Sequence, residues 1–194
     1  MRTGGRILAV LAALAGLAGC GSRPDALPLP APAGAQAVPL ATPTSAEPSC
    51  ATGLQFVEGA GDAAMGLRVM SIELVNCGTQ PVELNGYPQV KLLDEHWQPL
   101  DVEIVNGSGG ISSAAEGFDN PPQPIVVQPG ERAKTAFMWK NRHTTVDPRQ
   151  VSTHVDIAAS PGATFQSLLP ATPGRNLHID LGSTGRLGVR AWHR

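Results

Sequence analysis

The chain has 194 residues, of which 42% are hydrophobic, and its 14 basic and 16 acidic residues give a net charge of −2. It contains no run of basic residues, which argues against nucleic-acid binding. The sequence divides into a short leader, a proline-rich segment and one predicted domain.

Residues 1–19 have the features of a secretory signal. Two arginines and no acidic residue precede an uncharged apolar run over residues 7–18, which is shorter than the roughly 20 residues that span a bilayer. The run ends in Leu-Ala-Gly-Cys, which resembles the lipobox of bacterial lipoproteins. We therefore expect cleavage before Cys20, lipid on that cysteine, and a protein anchored to the outer face of the cytoplasmic membrane. The alternative is an ordinary secretory signal with a cysteine at its end by chance.

The segment that follows Cys20 is predicted to be a disordered tether. Residues 21–49 contain seven prolines, many alanines and only three charged residues, with no apolar period. Such a composition cannot bury enough apolar surface to offset the entropy of ordering. Residues 20–49 are thus expected to hold the domain away from the membrane as an extended chain.

Residues 50–194 are long enough for one domain with its own core. With Cys20 assigned to lipid, Cys50 and Cys77 remain in an oxidising compartment, and a structural disulfide between them is expected. A metal pair or a redox pair is the alternative, but the sequence has no CxxC spacing and no Cys/His cluster near them.

The domain is predicted to be all-β, since many short apolar runs alternate with Gly/Pro turns. In the first run, Met70, Ile72 and Leu74 form the inward face. Residues 107–123, rich in glycine, are expected to form a long exposed loop. The predicted strands are residues 65–75, 82–84, 90–92, 100–105, 124–127, 132–139, 151–158, 176–181 and 187–192.

Six short motifs stand out in this domain: Leu-Val-Asn-Cys-Gly at 74–78, Asn-Gly-Tyr-Pro at 85–88, Gln-Pro-Gly at 128–130, Trp-Lys-Asn at 139–141, Leu-Gly-Ser-Thr-Gly-Arg-Leu at 181–187 and Ala-Trp at 191–192. Together they resemble one family of actinobacterial secreted proteins and lipoproteins, known as domain of unknown function four-two-three-two. The resemblance covers about residues 50–194 and implies an immunoglobulin-like antiparallel β-sandwich without an established activity. Many members place the second cysteine a few residues later, whereas here Cys77 follows Asn76 directly.

Two His-x-Asp patterns are candidates for a metal site. His154 and Asp156 share one strand face, and so do His178 and Asp180. If the two strands were neighbours, two imidazoles and two carboxylates would converge on a divalent ion. The alternative is a polar outer face that alternates with apolar residues inside.

Two aromatic residues at predicted turns are candidate ligand contacts. Trp97 lies in the polar turn Glu-His-Trp-Gln-Pro, where an exposed ring could stack on a sugar or a partner; a half-buried packing role is the alternative. Tyr87 precedes Pro88 at another turn, where it either binds ligand or packs. No Gly-x-Ser-x-Gly or Ser-x-x-Lys motif is present, and no phosphate-binding glycine loop precedes a predicted helix, so neither an enzyme nor a cofactor is expected.

The functional expectation is a non-catalytic binding or structural module at the cell envelope, attached to the membrane through lipid. Its partner would be cell-wall glycan, an envelope protein or a small solute. A metal-binding lipoprotein that uses the His-x-Asp pairs is the alternative function.

Overall fold

The computed structural model describes Cys50, residues 53–113 and residues 115–194. Over these residues the chain is all-β, and they include no helix long and apolar enough to cross a membrane. The predicted signal, the lipidation site Cys20 and the tether lie outside the described residues. The strands are β1 Leu54–Ala64, β2 Leu67–Asn76, β3 Val82–Leu84, β4 Gln89–Leu93, β5 Glu103–Asn106, β6 Ile125–Val127, β7 Arg132–Lys140, β8 Gln150–Ser152, β9 His154–Ala158, β10 Gln166–Ser167, β11 Ile179–Gly182 and β12 Arg186–Val189.

The strands form two larger sheets and two small ones. The larger sheets have the strand orders β1-β2-β7-β12-β5 and β10-β9-β4, and the small ones pair β11 with β8 and β3 with β6. All pairs are antiparallel except β12 with β5. Every predicted strand region contains a strand, with ends shifted by up to three residues.

A long hairpin of β1 and β2 forms one edge of the five-stranded sheet. Met65 and Gly66 join the two strands with φ of 45° and 82°, and two successive positive φ values match the twist of a tight hairpin. The sequence did not predict β1, because Gly59 and Gly61 interrupt its alternation. The structure accommodates them in a register shift between Glu58 and Gly61.

One core joins the two larger sheets. The predicted inward face of β2 is confirmed, since Met70, Ile72 and Leu74 are buried. They belong to the same apolar cluster as Val155 and Ile157 of β9 in the other sheet. Full burial of an aliphatic side chain contributes roughly 1.5–3 kcal/mol, so contacts between these sheets account for much of the fold's stability.

The predicted strand 151–158 is two strands that serve different sheets. The break falls at Thr153: β8 pairs with β11, and β9 pairs with β4. The buried Ser152 hydroxyl donates to the carbonyl groups of Leu93 and His154 at 3.0 and 2.8 Å. Side-chain bonds of this kind compete with the sheet ladder and stabilise the crossing between sheets.

The described part of the segment 107–123 contains no strand, as its composition predicted, but it is only partly exposed. Ile111 and Phe118 are buried and pack against Ala136 and Met138 of β7 in a second apolar cluster. The reason is that β7 carries apolar side chains on both faces, and the segment keeps the second face from water.

Candidate functional site: an exposed tryptophan beside a groove

A hydrogen-bonded turn after β4 presents Trp97. The Asp94 carboxylate accepts hydrogen bonds from the backbone N–H groups of His96 and Gln98, both at 2.8 Å. These bonds, that of Gln98 first, hold the pKa of Asp94 below its usual range. The polar turn predicted here is confirmed, and its bonds hold Trp97 at φ 61°.

The Trp97 ring is stacked on His154 of β9 and remains open to solvent. The ring centroids are 3.8 Å apart with an interplanar angle of 31°, while Trp97 is 53% exposed. Nδ1 of His154 lies 3.1 Å from the Asp94 carbonyl oxygen. The Thr153 hydroxyl lies 3.0 Å from the same nitrogen, and these two contacts hold the imidazole against the indole.

A groove of about 190 Å³ runs beside this stacked pair. Ser167 of β10 and the segment Arg175–Asn176 bring polar side chains to it, and Leu169 and Pro170 give it an apolar part. Arg175 is positioned by an ion pair with Glu58, whose carboxylate also accepts the backbone N–H of Ala171 at 2.9 Å. The groove therefore combines a flat aromatic edge with hydrogen-bonding groups.

Polar residues continue along the outer face of the three-stranded sheet. Asp156 faces Lys91 across β9 and β4 and Ser167 across β9 and β10. The Ser167 hydroxyl donates to Asp156 at 3.1 Å, and the Lys91 ammonium lies 4.0 Å from the centre of the Phe165 ring. On β9 the structure shows the alternative interpretation of the His-x-Asp pattern, a polar face over buried Val155 and Ile157.

The structure does not bring the two His-x-Asp pairs together. His154 and Asp156 lie on β9, which pairs with β4 and β10, whereas Asp180 lies on β11, which pairs with β8, and His178 precedes β11. The described residues contain no group of three or more His, Cys, Asp or Glu side chains arranged to hold a metal ion. The metal hypothesis required β9 and β11 to be neighbours, and they are not paired in this topology.

Asp180 instead is the buried member of an ion pair with Arg149, whose side chain is 51% exposed. Asp180 is 2% exposed and accepts hydrogen bonds from Arg149, from Asn141 Nδ2 at 2.8 Å and from the Gly182 N–H at 3.0 Å. The Arg149 guanidinium is the main reason that the pKa of Asp180 is lowered. A buried carboxylate needs such partners to remain charged, so its role here is structural.

The remaining predicted site residues lie elsewhere. Cys50 and Cys77 form the expected disulfide, with Cα atoms 6.0 Å apart. Tyr87 is half-buried at the turn between β3 and β4 and does not line the groove beside Trp97. Sequence reasoning missed His154 as the stacking partner of Trp97, and it missed Arg175. No sequence signal could have found them, because only the fold brings these segments together.

Two of the motifs that resemble the family contain asparagines whose hydrogen bonds stabilise the fold. The buried Asn76 side chain donates to the carbonyl groups of Gln80 and Val127, both at 2.8 Å, and the backbone carbonyl of Asn76 accepts from the Gly130 N–H at 2.6 Å. Asn141 holds Asp180. These residues tie strand ends and turns together, which explains why the motifs occur at turns.

The described chain is thus a disulfide-linked, all-β domain that presents one exposed tryptophan beside a polar groove. Residues 50–193 match the family model described as Domain of unknown function (DUF4232), and the chain belongs to this family. No curated protein and no solved structure matches the chain.

Proposed function

We propose that this protein is a lipid-anchored, extracytoplasmic, non-catalytic module that binds cell-wall glycan through Trp97 and the adjacent groove. The observation that carries the proposal is the conformation of Trp97: the turn holds it at positive φ and leaves its ring 53% exposed. A bulky residue at positive φ is an outlier, and such outliers occur preferentially at functional sites.

Stability of the turn does not require a tryptophan at position 97. The left-handed conformation costs a non-glycine residue about 1–2 kcal/mol, and an exposed indole forgoes much of the free energy that burial provides. Glycine or asparagine would meet the backbone requirement with less strain. The exposed ring therefore supports a role in binding.

Carbohydrate fits the chemistry of this surface. The apolar C–H face of a sugar ring packs on an indole, and its hydroxyl groups pair with donors and acceptors such as those of Ser167 and Asn176. The groove of about 190 Å³ is smaller than the roughly 300 Å³ at the lower end of pockets that enclose small ligands. It suits one unit of a polymer that continues past the site.

The N-terminal sequence supports the proposed extracytoplasmic, lipid-anchored location. The N-terminal signal, Cys20 and the proline-rich segment are the arrangement expected for a domain held off the membrane within reach of the wall. Cys20→Ser should move the protein from the washed membrane pellet to the medium. Retention of the variant in the pellet would contradict the anchor.

We infer further that the two larger sheets pack as the faces of an immunoglobulin-like sandwich. The support is the single apolar cluster to which both contribute, including Leu74 from one and Ile157 from the other. In such a sandwich the turn with Trp97 and the outer face of the three-stranded sheet are available to a ligand.

The test is co-sedimentation of the purified protein with insoluble peptidoglycan. Trp97→Ala should weaken binding by about tenfold, since an aromatic contact contributes roughly 0.5–1.5 kcal/mol beyond the area that it buries. Val146→Ala is the control, because Val146 is an exposed apolar side chain that does not line the groove. Failure of the wild-type protein to sediment, or equal loss in both variants, would overturn the proposal.

A further inference from the structure

A second cleft is lined by two arginines and, within the part of the chain that the structure describes, by no carboxylate that would balance their charge. It lies between the end of the segment 107–123 and the C-terminal residues, has a volume of about 230 Å³, and is lined by Arg190, His193 and Arg194 together with the amides of Asn120 and Gln123. Among the described residues no Asp or Glu side chain lines it. This contrasts with the acidic balance of the whole chain.

Arg190 is the cation of this cleft without an internal partner. Within residues 53–113 and 115–194, no carboxylate lies within ion-pair distance of its guanidinium, and no side-chain hydrogen bond to it is formed. Arg194, by contrast, is paired with Glu131 at 3.1 Å. The backbone of Arg190 is fixed, since its carbonyl accepts the Thr135 hydroxyl at 2.6 Å and its N–H donates to Ala136 at 2.9 Å.

Two donors without acceptors lie close together at one wall. Gly117 has φ 69°, and a Cβ at this glycine would lie 3.3 Å from Arg190 Nη2 and 3.3 Å from Asn120 Nδ2. The two nitrogens are therefore at most twice that distance apart. N–H donors of a guanidinium and of an amide that face the same space can both reach a planar or tetrahedral oxyanion placed between them.

His193, which also lines the cleft, lies near the same cations. Burial is the main reason that the pKa of His193 is lowered, and repulsion from Arg190 and Lys134 adds to it. The cleft is thus a region of positive potential in an acidic protein, which attracts anions.

We propose that this cleft binds a phosphate ester, with Arg190 and Asn120 as the donors that contact its oxygens. A phosphate ester offers more acceptor oxygens than a carboxylate, and a monoester also carries more charge, which suits several donors around one point. The site is separate from the Trp97 groove and shares no lining residue with it. It does not depend on the proposed glycan function.

The experiment is calorimetric titration of the full-length protein with sn-glycerol 3-phosphate, together with sedimentation on phosphatidylglycerol and phosphatidylcholine vesicles. Arg190→Gln should weaken binding by about tenfold or more, because it removes a charge-assisted bond. Arg190→Lys, which keeps the charge without the planar fork, should lose less. Added salt should weaken binding as well.

Arg142→Gln is the control, because it makes the same change of charge beyond the opposite end of β7. Thermal unfolding of each variant verifies that it folds. Arg190-dependent binding of glycerol phosphate indicates a soluble or polymer-borne ester, and Arg190-dependent binding of phosphatidylglycerol vesicles alone indicates a lipid headgroup. Either result supports the proposed phosphate-ester site. Binding of neither probe by the wild-type protein, or equal binding by Arg190→Gln and Arg142→Gln, would overturn the proposal. Trp97→Ala should leave this binding unchanged, which separates the result from the glycan proposal.

Discussion

Replacing Asp180 with asparagine would perturb the most fully bonded buried charge in the described structure. The carboxylate accepts four hydrogen bonds: two from Arg149, one from Asn141 at 2.8 Å and one from the Gly182 N–H at 3.0 Å. Asparagine keeps the shape and one acceptor oxygen, but it turns an N–H₂ group toward the remaining donors. Two bonds to a charged group are therefore lost.

The magnitude follows from these bonds. At about 1.5 kcal/mol for each hydrogen bond to a charged group, the loss is about 3 kcal/mol in the free energy of unfolding at pH 7. An unfolding entropy of about 2.1 cal/mol/K per residue makes this equivalent to roughly 10 °C in Tm for a domain of this length. The effect is set by the burial of the Asp180 side chain, which is 3% exposed, whereas the Arg149 side chain is 51% exposed and regains water when its bond is lost.

The pH dependence gives the sign of the charge effect. The folded-state pKa of Asp180 lies below its ordinary value of 3.8, chiefly because of Arg149. The stability that the ionised carboxylate provides is thus fully present above that ordinary value and is lost as the pH falls through the folded-state pKa. The stability difference between wild type and Asp180→Asn should accordingly be greatest near pH 7 and shrink in acid.

Urea unfolding followed by circular dichroism at a series of pH values measures this difference. Asp156→Asn is the matched control, because Asp156 lies on the outer face of β9 and accepts one hydrogen bond, from Ser167 at 3.1 Å; its cost should stay within about 0.5 kcal/mol. A constant difference for Asp180→Asn from neutral to acid pH would refute the ion-pair explanation. So would equal costs for the two variants.

Two further predictions concern the same fold. The double variant Cys50→Ser/Cys77→Ser should lower the free energy of unfolding by about 3.5 kcal/mol, since the disulfide closes a loop between residues 27 apart; urea unfolding under non-reducing conditions would measure it, and equal stability would show that the bond contributes nothing. Asn76→Ala should lower Tm by several degrees, because it leaves the buried carbonyl group of Val127 without the donor that lies 2.8 Å away; an unchanged Tm by calorimetry would contradict that role.

The strands could be predicted where apolar residues alternate and turns follow. In β2, Met70, Ile72 and Leu74 alternate with more exposed residues, and period-2 reasoning found the inward face. In β7, Phe137, Met138 and Trp139 are consecutive and all buried, so a period of two cannot tell which face is covered. The second face of β7 is covered by Ile111 and Phe118. Both lie in a glycine-rich segment whose composition is typical of a solvated loop.

The site could be predicted only in part. The exposed turn with Trp97 follows from local chemistry, because Asp94 and its neighbours form a polar turn that the chain can complete alone. The stacking on His154 and the distance between the two His-x-Asp pairs depend on which strands become neighbours. That choice is made by the shared core and by the crossing at Thr153 between β8 and β9, and no local pattern encodes it.

Acrylamide quenching of tryptophan fluorescence, with and without soluble peptidoglycan fragments, tests the proposed glycan site most directly. Trp97 is 53% exposed, whereas Trp139 and Trp192 are 5% and 2% exposed, so the quenchable signal comes from Trp97. If glycan covers its ring, fragments should lower the quenching constant toward that of Trp97→Ala, and Val146→Ala should behave as wild type. Binding of fragments with no change in quenching would contradict the proposal that Trp97 forms the glycan contact.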